Sequence, residues 1–485
     1  MGMMTLQQAL GFVRQRIPSA HLVGDGATPL ARVHTDTRTL QAGDLFVALK
    51  GERFDANAFL PQAQASGAAA ALAHGGVAAA GLSGIEVPDT LAAFGALAAG
   101  WRAQFTLPLI GVTGSNGKTT VTQMIASILR AWKGEAAFAT QGNFNNDIGV
   151  PLMLLRLTAA HEAAVIELGM NHPGEIATLA AMARPTVALV NNAQREHLEF
   201  MHTVDAVAAE NGAVLAALPP NGVAVFPADS PYTAFWRQQA AGRQRLLFGV
   251  GGDVRVVQAT WQGHTWDVHA ATPVGDLRYT LHIAGQHNVV NSLAAATCAL
   301  AAGVPLAAIA NGLAGFAPVK GRSRALVVPV QGRAVTVVDD TYNANPDSMR
   351  AAIEVLAALP APRLLVVGDM GEVGDQGPAF HREAGEHARA AGIDKLLTLG
   401  EQSRQVAAGF GDAGAYCPDI DTLNARVLAL LPVAGSVLVK GSRFMKMERV
   451  VAAIEAAGTP QPPTTRQEGS TMAVAEKTTA GGATC

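Results

Sequence analysis

Gly111-Val112-Thr113-Gly114-Ser115-Asn116-Gly117-Lys118-Thr119-Thr120 is the stretch on which the fold of this chain turns. Before it runs Phe105-Thr106-Leu107-Pro108-Leu109-Ile110, short and apolar, which predicts a buried parallel strand over 105–110. After it, Val121, Met124, Ile125, Ile128, Leu129 and Trp132 recur at helical spacing, and Gly134 marks a stop. The glycines then occupy a strand-to-helix turn, where free N–H groups and the helix dipole favour an anion. Lys118 can reach a terminal phosphate, and Thr119 offers a hydroxyl to magnesium. Strict phosphate-loop spacing asks for glycine at position 112, where Val112 stands between Gly111 and Gly114. A turn that binds nothing is the alternative. Gly-Lys-Thr-Thr at the head of a helix favours nucleotide phosphates, contacted by Gly114, Ser115, Asn116, Gly117, Lys118, Thr119 and Thr120.

With 485 residues, the chain exceeds one ordinary domain. Hydrophobic residues make up 49% and charged residues 15%, enough to bury large cores and too apolar for global disorder. A formal net charge of −3 gives no case for a nucleic-acid partner. Cys298, Cys417 and Cys485 show no metal spacing or disulfide framework, as in a reducing compartment. No basic segment followed by an apolar signal core opens the chain, and no apolar run approaches spanning length. A cytoplasmic protein without membrane insertion is expected.

The order of elements predicts an α/β protein of three domains. Residues 1–104 form the first, with helices over 5–16, 59–70 and 91–101 and a strand over 43–49. Residues 105–321 form the second. Strands over 163–168, 187–191 and 222–226 alternate with helices such as 174–183, which argues for a mostly parallel sheet covered on both faces. Alternation over 254–281 predicts an appended antiparallel hairpin. Residues 322–459 form a third α/β unit, with strands over 334–339, 363–368, 395–399 and 436–440 and helices over 349–359, 379–391 and 445–457. No Gly-x-Gly-x-x-Gly follows its strands, so a dinucleotide fingerprint is absent. Residues 460–485, rich in Pro, Thr, Gly and Ala, read as a disordered tail.

Ligands gather at the carboxyl ends of parallel strands. Glu167 lies at one such end, where it and Thr119 can share a magnesium ion through hard oxygens. His197, in Arg195-Glu196-His197-Leu198-Glu199, reads by itself as a structural histidine. Asn143, Asn145 and Asn146 suit recognition of a sugar or peptide, or a tight turn. Asn288 and Asn291, one turn apart, suit an adenine edge or a helix cap. Asp339-Asp340-Thr341-Tyr342-Asn343-Ala344-Asn345-Pro346 and Lys440-Gly441-Ser442-Arg443 follow strands and suit polar ligands or solvated turns. Asp36 with Arg38, and Lys50-Gly51, are open in the same way. No Ser–His–Asp, Cys–His or zinc signature appears, so covalent catalysis by the protein is unsupported.

Together these runs closely resemble the ATP-dependent Mur ligases of bacterial cell-wall synthesis. Asn143-Phe144-Asn145-Asn146-Asp147-Ile148-Gly149-Val150-Pro151, Asp340 to Pro346 and Gly368-Asp369-Met370-Gly371-Glu372-Val373-Gly374 point to one branch. That branch adds D-alanyl-D-alanine to UDP-N-acetylmuramoyl-tripeptide. Asp36-Thr37-Arg38, Gly43-Asp44-Leu45-Phe46, Pro318-Val319-Lys320-Gly321-Arg322 and Lys440-Gly441-Ser442 also match it, over about residues 30–455.

The resemblance implies an N-terminal UDP-substrate domain, a central ATPase and a C-terminal Rossmann-like domain closing over ATP. It implies phosphorylation of the substrate carboxylate to an acyl phosphate, then attack by the dipeptide amine. Such chemistry needs positioning and charge neutralisation rather than a protein nucleophile. The resemblance makes Lys118, Glu167 and His197 catalytic. It places ATP against the phosphate loop and Asn288, Asn291, Arg322, Asp340 and Asn343. The substrate side takes Thr37, Arg38, Lys50, Asn143, Asn145, Asn146, Lys440 and Ser442. One Mg2+ falls to Thr119 and Glu167, a second to His197. A monomer is the default.

The chain departs from the family at one place. A carbamylated lysine in a Lys-Gly-Glu run is common there, and the matching stretch is Ala209-Glu210-Asn211-Gly212-Ala213. No lysine occurs between Lys133 and Lys320. Glu210 or a water is expected to replace the carbamate near the second metal. Thr37 also stands where the family often has serine, which keeps a hydroxyl. The competing readings are a sister ligase adding the third residue, folylpolyglutamate synthetase, and a nucleotide-dependent switch. The sister's Asp-Asn-Pro-Arg run is absent.

Overall fold

The structure, a computed structural model, describes residues 2–51, 54–263 and 265–458. Its N-terminal part opens with helix Leu6–Arg14, capped by Thr5, whose hydroxyl accepts from Gln8 N while the Gln8 side chain returns to Thr5 N. Five of the strands that follow form one sheet in the spatial order His21–Val23, Ser83–Glu86, Ala70–Ala73, Asp44–Val47, Arg32–His34. The helix expected over 59–70 is shorter. It runs Leu60–Ala65 after a 3-10 turn, and Gly67 turns the chain at φ +84°. Ala70–Ala73 is a fully buried strand. Alanine is a good helix former, but packing between two layers overrides a propensity worth only tenths of a kcal/mol (about 0.7 at most).

The central domain is built on six parallel strands. Strand β1 (Leu109–Thr113) leads through the glycine-rich turn into helix α1 (Lys118–Lys133). β1 begins later than expected, because Pro108 has no N–H for a ladder, and it runs on through Gly111 to Thr113. Only Gly114 and Gly117 therefore belong to the turn. Val121, Met124, Ile125, Ile128 and Leu129 of α1 are all fully buried, and each contributes about 1.5–3 kcal/mol. Gly134 ends the helix at φ +57°. Strand β2 (Ala163–Glu167), helix α2 (Glu175–Ala183), strand β3 (Val187–Val190) and helix α3 (Val204–Ala216) follow. Across the sheet the order is Gln244–Phe248, Val223–Pro227, β3, β1, β2, Ala137–Ala139. Glu167 pairs with Val112 and Val190 with Thr113, so three strand ends meet at the turn.

Residues 254–281 make a three-stranded antiparallel meander, not a two-stranded hairpin: Arg255–Trp261, Trp266–Thr272 and Gly275–Leu281. Helix α4 (Gln286–Ala301) shares the core beneath it, with Val268, Leu277 and Leu293 in one buried cluster.

The C-terminal sheet contains strand β4 (Arg333–Asp340), then helix α5 (Pro346–Ala357), strand β5 (Arg363–Gly368) and strand β6 (Ser436–Lys440). Its order is Arg324–Val330, β4, β6, β5, Lys395–Leu399, Gly414–Cys417, and only the first strand runs antiparallel. The two edge strands were not anticipated from sequence. Arg324–Val330 is mostly half-exposed, and such an edge carries a weak apolar signal. The tail expected over 460–485 lies outside the described residues. No helix among the described residues is long and apolar enough to cross a membrane.

Candidate active site

Gly117 is the N-cap of α1 at φ +82°, a conformation that excludes most side chains. A Cβ there would also stand 2.7 Å from Asn291 Oδ1 and 2.8 Å from Asn191 Nδ2. That close approach lets a row of amides back the turn. Asn191 Nδ2 donates to Asn116 O (2.8 Å) and to Asn291 Oδ1 (3.0 Å). Asn291 Nδ2 donates to Asn288 Oδ1 (2.9 Å), and Asn288 Nδ2 to Ala284 O (2.7 Å). Asn288 and Asn291 thus brace the loop from behind while lining the same cleft. At the loop's start, Asn211 is fully buried, and its Oδ1 accepts from Thr113 Oγ1 and Gly114 N.

Lys118 Nζ donates to Gly114 O (2.6 Å) and Ser115 O (3.1 Å) and pairs with Glu196 Oε1 (2.7 Å). Glu167, at the end of β2, is almost fully buried. Its Oε1 accepts from Thr119 Oγ1 (3.0 Å) and Asn145 Nδ2 (2.8 Å), and its Oε2 is buried with no hydrogen-bond partner. A free carboxylate oxygen beside a hydroxyl is the donor set a magnesium ion takes, the remaining positions going to water and phosphate. The residues present therefore fit that ion. Among the described residues no group of three or more His, Cys, Asp and Glu side chains converges as a metal cage.

The segment after β3 joins the central and C-terminal domains. Arg195 reaches Asp347 of α5 (2.7 Å) and Glu383 (2.9 Å). His197, at φ +49°, makes ion-pair contacts to Glu372 through Nδ1 and to Glu196 through Nε2 (3.4 Å). Burial opposes charge on the imidazole, but hydrogen bonding to Glu196 and Glu372 outweighs it and raises the pKa to about 9. Glu372 is presented by a rigid turn. His381 Nε2 accepts from Met370 N (2.9 Å), and the Asp369 carboxylate accepts from Ser403 N (2.7 Å) and Ser403 Oγ (2.6 Å). Asn345, N-cap of α5, donates to Asn116 Oδ1 (2.9 Å), so the C-terminal domain touches the phosphate loop itself.

On the C-terminal side, Lys440 Nζ pairs with Asp340 (2.6 Å) and donates to Asn343 O (2.9 Å). The Arg322 guanidinium lies 4.0 Å from the Tyr342 ring centroid, a cation–π contact. These residues face the phosphate loop, Glu167, His197, Asn143, Asn145 and Asn146 across one cleft of about 1410 Å³. Arg16, Asp89 and Leu91 of the N-terminal domain complete its wall.

Some anticipated residues lie elsewhere. Thr37, Arg38 and Lys50 do not line this cleft. Arg38 is exposed and bound to Asp36, whose carboxyl its hydrogen bonds pull down to about 2. Ser442 is buried, its hydroxyl donating to Asp369 O (2.6 Å). Glu210 stands corrected as a metal ligand. Its Oε2 accepts from Gly174 N (2.8 Å) and its Oε1 from Ile176 N (2.7 Å), so it caps α2, and it does not line the cleft. Sequence reasoning missed Glu196, Asn191 and Glu372, and it named Asn211 only as the residue at the lysine position, without its role at the loop. Glu196 and Glu372 lay inside runs already quoted, but nothing in their spacing separated them from solvated carboxylates.

Family descriptions match in three stretches: the Mur ligase family catalytic domain over residues 30–102, the Mur ligase middle domain over 112–299, and the Mur ligase glutamate ligase domain over 323–443. The chain is 41% identical to the UDP-N-acetylmuramoyl-tripeptide--D-alanyl-D-alanine ligase of Escherichia coli (strain K12). That match takes in 94% of this chain and 99% of the relative. A crystal structure of MurF from Acinetobacter baumannii superposes with a TM-score of 0.85 at 34% identity, covering 93% of this chain and 98% of that one. A MurF ligase from Thermotoga maritima in complex with ADP has a TM-score of 0.77 at 26% identity, covering 88% and 97%.

Proposed function

The chain belongs to the Mur ligase family, and on that premise we propose the following reading of its cleft. It is an ATP-dependent ligase of peptidoglycan precursor synthesis. It joins D-alanyl-D-alanine to UDP-N-acetylmuramoyl-tripeptide and releases ADP and phosphate. The observation that carries this is the convergence of the phosphate loop, the Asn143–Asn146 amides and the Lys440–Asp340 pair on one cleft with walls from all three domains. A switch protein needs the loop alone; a ligase needs nucleotide, acceptor carboxylate and incoming amine held together.

The residues divide the work by position. Backbone N–H groups at the head of α1 receive the phosphates, with Ser115, Asn116, Thr119 and Thr120 around them. Lys118 exchanges Glu196 for the β/γ-phosphates and neutralises charge as the γ-phosphate moves to the substrate carboxylate. Thr119 and Glu167 hold a magnesium ion, which when bound shields phosphate charge. Asn288, Asn291, Arg322, Asp340 and Asn343 enclose the nucleotide from both domains. Asn143, Asn145, Asn146 and Lys440 orient the acyl substrate, and Thr37, Arg38 and Lys50 serve its uridine end on the outer face. No side chain bonds covalently to substrate; the dipeptide amine displaces phosphate from the acyl phosphate. The domains divide at about 104 and 321, and the protein works as a cytoplasmic monomer.

The test is phosphate release from ATP and magnesium with UDP-N-acetylmuramoyl-tripeptide. Release that requires D-alanyl-D-alanine and yields the ligated product is expected. Release with the UDP-dipeptide and a free diamino acid would move the chain to the sister ligase. Release indifferent to any amine would sink the ligase reading.

A further inference from the structure

Position 211, where the family resemblance expects an acid carried on lysine, holds a buried asparagine, and Glu210 has both oxygens engaged by backbone N–H groups. Glu372 faces His197 Nδ1, and a second carboxylate, that of Glu196, faces Nε2. Glu196 is only 7% exposed and lines the cleft together with Lys118, Thr119 and Glu167. Its Oε1 accepts from Lys118 Nζ at 2.7 Å and lies 3.4 Å from His197 Nε2. Its Oε2 is buried and has no hydrogen-bond partner.

A buried carboxylate oxygen left unpaired is costly unless something occupies it. The Lys118 ammonium already lies against this carboxylate, so a cation is the group its surroundings accept. When Lys118 turns to the phosphates of a bound nucleotide, Oε1 loses its principal donor as well. Glu196 is then left as an exposed-to-ligand, buried-from-solvent anion next to phosphate, which needs a replacement cation. Hard oxygens of carboxylate and phosphate together suit magnesium or manganese.

We propose that Glu196 is a divalent-cation ligand at a second site in the cleft, next to His197 and distinct from the Thr119–Glu167 site. Its own carboxylate does there what the sequence assigned to Glu210. Nucleotide and second cation are then coupled through Lys118: the phosphate draws the lysine away, and the cation takes its place. The proposal rests on the ligase reading only in requiring that nucleotide binds.

The experiment counts Mn2+ by the EPR signal of the free ion, using the full chain saturated with a non-hydrolysable ATP analogue. The unaltered chain is expected to bind Mn2+ at two classes of site. Glu196→Gln is expected to weaken one class by at least about tenfold and leave the other. Glu196→Asp, which keeps the charge one methylene short, weakens that class less. Wild-type Mn2+ binding by Glu196→Gln, with or without tighter metal-free nucleotide binding, would overturn the proposal and leave Glu196 as no more than a partner for Lys118. Equal losses in the Asp and Gln variants, or a single Mn2+ site in the unaltered chain, would overturn it too. If Glu196→Gln does not fold, anomalous scattering from Mn2+ in crystals of the unaltered chain with the analogue decides: an ion on Glu196 supports the proposal, and its absence there refutes it. No nucleotide binding by the unaltered chain would overturn the ligase reading along with the proposal.

Discussion

Thr119 Oγ1 donates to Glu167 Oε1 over 3.0 Å, while Oε2 of the same carboxylate is buried without a partner. One residue comes from the first turn of α1 and the other from the end of β2, and the parallel register of β1 and β2 brings them together.

Glu167→Gln keeps the shape and an acceptor for Thr119 but removes the charge. Turnover is expected to fall by about 100-fold or more, with a higher magnesium requirement and little change in melting temperature. Steady-state rates across a magnesium series check this; a small rate loss with an unchanged magnesium curve would contradict it.

Asn211→Ala leaves the Thr113 hydroxyl and the Gly114 N–H without their acceptor at a fully buried position. A stability loss of about 1–3 kcal/mol is expected in urea unfolding. Nucleotide affinity should weaken as well, because the start of the phosphate loop loses its anchor. Unchanged nucleotide affinity would mean that the loop holds its shape without Asn211.

His197, held between Glu196 and Glu372, sets a pH dependence. The folded pKa of His197, about 9, lies above its unfolded value of about 6.5. Its contribution is therefore complete below the unfolded value and is lost as pH rises through about 9. Glu372 is lowered, first by its hydrogen bond to His197, so the pair survives mild acid. With magnesium chelated, the melting-temperature gap between the unaltered chain and Glu372→Gln should be widest in mild acid, below about pH 6.5, and close on going alkaline. A gap that widens above neutral pH would show the sign to be wrong.

Arg195 spans the interface, and its guanidinium binds Asp347 and Glu383 at once. Arg195→Ala is expected to loosen the central and C-terminal domains, seen as a larger radius of gyration in solution scattering. Arg195→Lys should not restore the contact, because an ammonium cannot present the planar fork to two carboxylates. A scattering curve unchanged in both variants would assign the interface to other contacts.

Much of the fold was legible because it rests on local pattern. Val121, Met124, Ile125, Ile128 and Leu129 announce α1, and Gly134 its end; the parallel strands read as apolar runs. Where local preference and packing disagree, the reading failed, as at the alanines of Ala70–Ala73. The edge strands Arg324–Val330 and Gly414–Cys417 failed for a related reason: a half-solvated strand has little to bury.

In the site, the sequence by itself determined the chemistry. Gly117, Lys118 and Thr119 are adjacent in the chain, so one turn of helix suffices to place backbone N–H groups, ammonium and hydroxyl at one point. Its place at a strand end already put Glu167 with Thr119, while the tertiary structure alone brought Glu196 to Lys118 and fixed both contacts. Glu167 is 48 residues from Thr119, and Glu196 is 78 from Lys118. Such contacts depend on strand order and register, which residue type does not encode. The same holds for Glu210 and Glu196. They are near neighbours in sequence with the same side chain, but the one on α3 meets the free N–H groups of α2, while the one after β3 opens into the cleft.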